Sequence, residues 1–203
     1  MKLQNLSLIV FVSLSIAAIS CQNHASQSAS SAVQGPVLVA GAAKSVDTSQ
    51  WKTYRNEQYG FELKYPETWG LGGEGSGTHG PTGQPTQQTR VWMIEVRKPH
   101  RDDEPDAKVT LGVQENENAK KLSIDEYFAE QLRAMKTTPE SSGHLTIGGQ
   151  PAVFVETTSS SGTKVRATYT LLHETDLLGF NYKHQEPFDS TLAAIVSSFR
   201  VVN

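Results

Sequence analysis

Cysteine is nearly absent from this chain: 203 residues hold one, Cys21. A single cysteine excludes a disulfide framework and any cysteine-based zinc site. Charge is sparse too. Asp, Glu, Lys and Arg make up 19% of the sequence and hydrophobic residues 37%, against about 25% and about 45–50% in an average globular chain. No basic surplus exists, since the net charge is −3 and the isoelectric point near 6.1. That excludes the positive footprint of a sequence-independent nucleic-acid binder. No apolar run reaches the roughly 20 residues of a transmembrane helix. Gly, Ser, Thr and Gln fill the difference, so part of the chain reads as linker or loop. The length suits one domain plus extensions, and it suffices to close a core without disulfides.

The one cysteine stands in a telling place. Lys2 gives a short positive start, and Leu6 to Ile19 is apolar with Ser interruptions and no charge. Those proportions fit the hydrophobic region of a secretory signal. It ends in Ala17-Ala18-Ile19-Ser20-Cys21, which resembles the bacterial lipobox. That resemblance implies a diacylglycerol on the Cys21 sulfur, cleavage before Cys21 and acylation, typically with palmitate, of the new amine. The alternative is an ordinary cleaved signal, with Ala18-Ile19-Ser20 as the small-residue cleavage site and Cys21 left free. Several acyl chains anchor a protein stably, because each buried CH₂ contributes about 0.8 kcal/mol. Gln22 replaces the Asp of the inner-membrane retention signal. The expected location is therefore the bacterial cell envelope, at the outer membrane facing the periplasm if the host is Gram-negative.

Three regions follow: a signal peptide over 1–20, a lipidated Cys21 with a polar tether over 21–50, and one domain over 51–203. The tether is rich in Ser, Ala and Gln and has no aromatic residue. It buries too little apolar surface to offset its ordering entropy, and a flexible segment of that length spans roughly 30 Å. Val37-Leu38-Val39 is its one candidate strand.

Within the domain, Phe61, Leu63 and Tyr65 alternate with Glu62 and Lys64, the pattern of a half-buried strand that Pro66 ends. Val91 to Val96 and Val109 to Val113 read as strands. Ser123-Ile124-Asp125-Glu126 is a capping box, and Ile124, Tyr127, Phe128, Leu132 and Met135 mark one helical face. Leu145 to Ile147, Ala152 to Thr158, Val165 to His173 and Leu177 to Lys183 read as strands. Turns at Gly148-Gly149, Ser159 to Gly162 and Glu174 to Asp176 separate them, so the last three form an antiparallel meander. Phe188, Leu192, Ile195, Val196 and Phe199 give a second helical stripe, and Val201-Val202 a last short strand. The expected fold class is α+β: a central antiparallel sheet flanked by helices, an α/β/α sandwich.

Trp51-Lys52-Thr53-Tyr54, Asn56 and the run YGFELKYPETW from Tyr59 to Trp69 resemble the opening of PsbP-like domains. Phe188 to Val202, with Ser197-Ser198-Phe199, resembles their closing helix and strand. These domains share the Mog1/PsbP-like fold with the extrinsic PsbP subunit of photosystem II. The resemblance implies an α/β/α architecture and a non-catalytic role as an accessory factor on a larger assembly. Its residues also have a plain physical reading. Gly60 permits a bulge or close approach before Phe61, and Trp51, Tyr54, Phe61, Tyr65 and Trp69 form a structural aromatic cluster. An exposed aromatic ligand platform is the competing reading.

Other candidates fail as strings. Gly70-Leu71-Gly72-Gly73-Glu74-Gly75 matches G-x-G-x-x-G, but no helix can follow through Ser76, Gly77, Gly80, Pro81, Gly83 and Pro85. It reads as a flexible surface loop. His100-Arg101-Asp102-Asp103-Glu104-Pro105-Asp106 offers oxygen ligands and one His, yet it matches no calcium-loop spacing and reads as a solvated hairpin loop. His173-Glu174 begins a zinc-protease motif, but position 177 is Leu. No G-x-S-x-G elbow occurs. The sequence therefore assigns no catalytic residue, no cofactor and no metal ligand. It reads as a lipid-anchored, non-catalytic envelope protein, joined to the membrane through acylated Cys21 and binding an envelope protein partner, with no nucleic acid. The alternatives are a small-ligand or metal-binding lipoprotein and, third, an envelope hydrolase.

Overall fold

The computed structural model describes residues 46–79, 89–134 and 138–202. The signal segment, Cys21, most of the tether with Val37-Leu38-Val39, residues 80–88 and Met135 lie outside them. The chain runs β1 (Lys52–Asn56), β2 (Phe61–Tyr65), β3 (Gly70–His79), β4 (Thr89–Arg97), β5 (Lys108–Gln114), α1 (Ile124–Ala134), β6 (Ser141–Ile147), β7 (Gln150–Thr158), β8 (Lys164–Leu172), β9 (Asp176–Lys183), α2 (Asp189–Ser197) and β10 (Arg200–Val201). A small sheet has the order β1-β2-β10, and a large one β3-β4-β5-β9-β8-β7-β6. Every pair of named strands is antiparallel. None of the described helices is long and apolar enough to cross a membrane.

Alternation along the strands gives the large sheet two buried faces. On one, Trp92, Ile94 and Val96 of β4, Leu111 of β5 and Phe180 of β9 meet Phe61 and Leu63 of β2 and Leu192 and Ile195 of α2. On the other, Val153 and Val155 of β7, Ala167 of β8 and Leu177 of β9 receive Ile124, Tyr127 and Phe128 of α1. The capping box starts α1 as expected. Ser123 Oγ accepts from the Glu126 amide at 3.3 Å, and Glu126 Oε2 accepts from the Ser123 amide at 3.0 Å. The meander is also present, β7, β8 and β9 pairing in sequence order.

The α/β/α sandwich is overturned. The described residues are mostly β, with two antiparallel sheets and two short helices of 11 and 9 residues. Where a helical layer was expected, β1, β2 and β10 pack with α2 instead. The cause lies at Pro66, which cannot continue the β2 ladder. The Trp69 amide closes a turn on the Pro66 carbonyl at 2.9 Å, and the chain leaves for the other sheet.

The second correction concerns Gly70 to Gly75, expected as a flexible loop. Gly70–His79 is the edge strand β3, paired with β4 and carrying a register shift between Gly72 and Gly75. Tertiary pairing decides here against local preference. The partner strand TRVWMIEVR is anchored in the core, and the bulge absorbs the residues that do not fit the ladder.

Candidate functional site

The Tyr59 to Trp69 run is a structural device. In the β1–β2 turn, the Asn56 carboxamide accepts from the Tyr59 amide at 2.9 Å, and Tyr59 Oη donates to Glu115 at 2.8 Å. Burial first, and then the Glu115 contact, push the Tyr59 phenol up to about 12. Gly60 brings its carbonyl to the Val202 amide at 2.8 Å; a Cβ there would lie 3.0 Å from the Val202 oxygen. Phe61 then enters the core, its ring 5.9 Å from Trp92 and 5.6 Å from Phe199. Tyr65 and Trp69 are buried in the same core, with Trp51 and Tyr54 packed on its margin. This is the arrangement of a structural cluster: Tyr54 and Phe61 pair at 6.3 Å, and the other rings pack into or against the same apolar core.

The closing Ser197-Ser198-Phe199 works from the other end of the chain. Ser198 Oγ accepts from the Lys64 amide at 2.8 Å and lies 2.7 Å from the Ile195 carbonyl, tying α2 to β2. Phe199 inserts between the sheets, 5.4 Å from Phe180. Glu62, buried on β2, pairs with Arg200.

His184 sits just after β9 and joins three elements. Its Nε2 lies 2.9 Å from Glu156 of β7, and its Nδ1 lies 3.3 Å from Asp189, the first residue of α2. Arg166 of β8 donates to the same Glu156 at 2.9 Å. Both ring nitrogens thus face carboxylates, and among the described residues neither meets a hydroxyl or thiol that it would activate as a nucleophile. Two further histidine contacts are exposed, His144 with Asp125 at 3.0 Å and His100 with Asp102 at 3.4 Å, and His173 lies 3.9 Å from the half-buried Asp176. Among the described residues, no three His, Cys, Asp or Glu side chains converge as a metal site would.

Burial by itself pushes the Glu156 carboxyl up. The hydrogen bonds and charges of Arg166 and His184 outweigh it and hold the group below its ordinary value. A depressed carboxylate stabilises the fold above its unfolded pKa, and that contribution is lost as pH falls through the folded one. Glu156→Gln is therefore expected to be less stable than the parent near neutrality, with the gap closing as pH falls through and below the ordinary glutamate range. Urea midpoints across that range read it; a constant gap contradicts the assignment.

The acidic stretch is the connection between β4 and β5, a hairpin loop as expected. Its His100, Arg101, Asp102, Asp103 and Asp106 are exposed, while Glu104 pairs with Lys98. An open hollow of about 440 Å³ lies beside it, lined by Gly70, Arg97, Lys98, Pro99, His100 and Asp106. Sequence reasoning missed this hollow because it took Gly70 for part of a loop, which hid its pairing with Arg97 across β3 and β4.

No protein-family model matches the chain, and no curated protein matches it. Among solved structures, the chain is similar to the solution structure of cyanobacterial PsbP (CyanoP) from Synechocystis sp. PCC 6803. Identity is 16%, the match covers 82% of this chain and 99% of that one, and the TM-score is 0.46. That likeness assigns no residue of this chain a role.

Proposed function

We propose that this is a lipid-anchored, non-catalytic accessory protein of the bacterial cell envelope, which docks on a protein partner through a PsbP-like domain. The observation that carries the reading is where the conspicuous side chains are engaged. Tyr59, Phe61, Tyr65, Trp69 and Phe199 hold the two sheets together, and His184 with Glu156, Arg166 and Asp189 holds α2 to the large sheet. Groups with such duties are poorly placed for chemistry, whereas the loops between strands are free to vary as contact surfaces. The lipobox-like Ala18-Ile19-Ser20-Cys21 and the polar tether supply the membrane attachment. Tethering raises the local concentration for a membrane-bound partner, so a modest affinity suffices.

The anchor is tested at Cys21. Mass spectrometry of the mature N-terminus is expected to find acyl chains on Cys21, and Cys21→Ala to abolish acylation and release the protein from membranes. A mature chain with an unmodified Cys21, or a start elsewhere, rejects this part of the proposal.

A further inference from the structure

We propose that the hollow at the Gly70 end of β3 binds a small oxyanion, a phosphate or a carboxylate, with Arg97 as its anchor. Arg97 ends β4 opposite Gly70 and lines the hollow together with Lys98 and His100. Its guanidinium lies over Gly72, where a Cβ would come within 2.4 Å of Nη2 and 2.9 Å of Cζ.

Neighbouring basic groups already have partners. Lys98 pairs with Glu104 and stands 4.4 Å above the Phe188 ring. Lys108, opposite Arg97 across β4 and β5, meets Glu95 at 2.5 Å. Arg97 has neither a carboxylate within 4.0 Å nor a hydrogen-bond acceptor among the described residues. A guanidinium offers five N–H donors in a planar fork that matches two oxygens of a phosphate or carboxylate. Arg97 carries that fork and is one of the residues that line the hollow of about 440 Å³.

The other lining groups set where the anion sits. Asp106 is the one carboxylate in the lining, and it repels an anion from its own side. His100 stands on the rim with its Nε2 3.4 Å from Asp102, and Pro99 supplies a stiff apolar wall. Arg97, which has no carboxylate beside it, is therefore the group that holds the anion. This site goes beyond partner docking and stands without it.

The test uses the full chain with inorganic phosphate and with malonate, chloride at equal ionic strength serving as reference. Calorimetry is expected to show saturable binding of at least one of the two anions, with Kd on the order of 1 mM. Arg97→Gln should weaken it at least about tenfold, and Arg97→Lys, which keeps the charge and loses the fork, should weaken it as well. Arg101→Gln, outside the hollow, should leave it unchanged. Melting temperatures report folding of each variant independently. Absence of saturable binding by both anions, equal binding in folded Arg97→Gln or Arg97→Lys, or equal binding of chloride overturns the proposal. Partner crosslinking measured on the same variants separates failure of this site from failure of docking.

Discussion

Gly148→Ala is expected to destabilise the protein by about 2–6 kcal/mol, much of a typical total of 5–15 kcal/mol. Gly148 and Gly149 make the two-residue turn between β6 and β7, with φ of +55° and +79°. An L side chain resists both values. Gly148 also forms an isolated bridge with Arg200, so the tip of the large sheet's last hairpin touches the small sheet. A Cβ there would meet Arg200 Cα and the Phe199 carbonyl oxygen, each at 2.8 Å. Backbone atoms cannot move aside as a flexible side chain does. Gly149 is the control, because a Cβ there meets nothing within 4 Å. Gly149→Ala should lose only the conformational part, about 1–2 kcal/mol. Chemical denaturation of the two variants reads the difference. Equal losses would show that Gly148 is needed for the turn alone and that the contact between sheets is unimportant.

Phe199→Ala carries the second large effect, about 3–5 kcal/mol. The ring is 2% exposed and lies between Phe61 of one sheet and Phe180 of the other. Its removal opens a cavity at the junction, where neither β2 nor β9 can close in without leaving its own ladder. Phe199→Leu keeps most of the volume and should cost less than half as much. A thermal or urea midpoint for Phe199→Ala matching the parent's would mean that the two sheets do not depend on each other.

Those two substitutions concern the part of the fold that was hardest to read from the chain. β2 announced itself by alternation and a closing proline, and α1 by its capping box. The hairpins from β6 to β9 announced themselves by turn residues at regular spacing. Each of those signals is local. That β1, β2 and β10 form a sheet of their own depends on pairing between Glu62 and Arg200, at opposite ends of the domain, and no local pattern reports it. β3 was read as a loop because glycine has little preference for strand, yet a ladder needs only backbone groups and a well-anchored neighbour. The same distance effect hid the contacts of His184. Asp189 is five residues away, but Glu156 comes from β7 and Arg166 from β8, and register alone brings them together. The hollow at Arg97 was invisible for the reason that β3 was.

The central claim, that the chain works by docking from a lipid anchor, is tested most directly by crosslinking in intact envelopes. The wild-type chain is compared with Cys21→Ala at equal amounts and equal melting temperature. The account predicts one discrete crosslinked species with the wild type and a sharply lower yield with Cys21→Ala, because loss of the lipid anchor lowers the effective concentration at the membrane without touching the docking surface. Equal yields from the two proteins, or no discrete species from either, would contradict it.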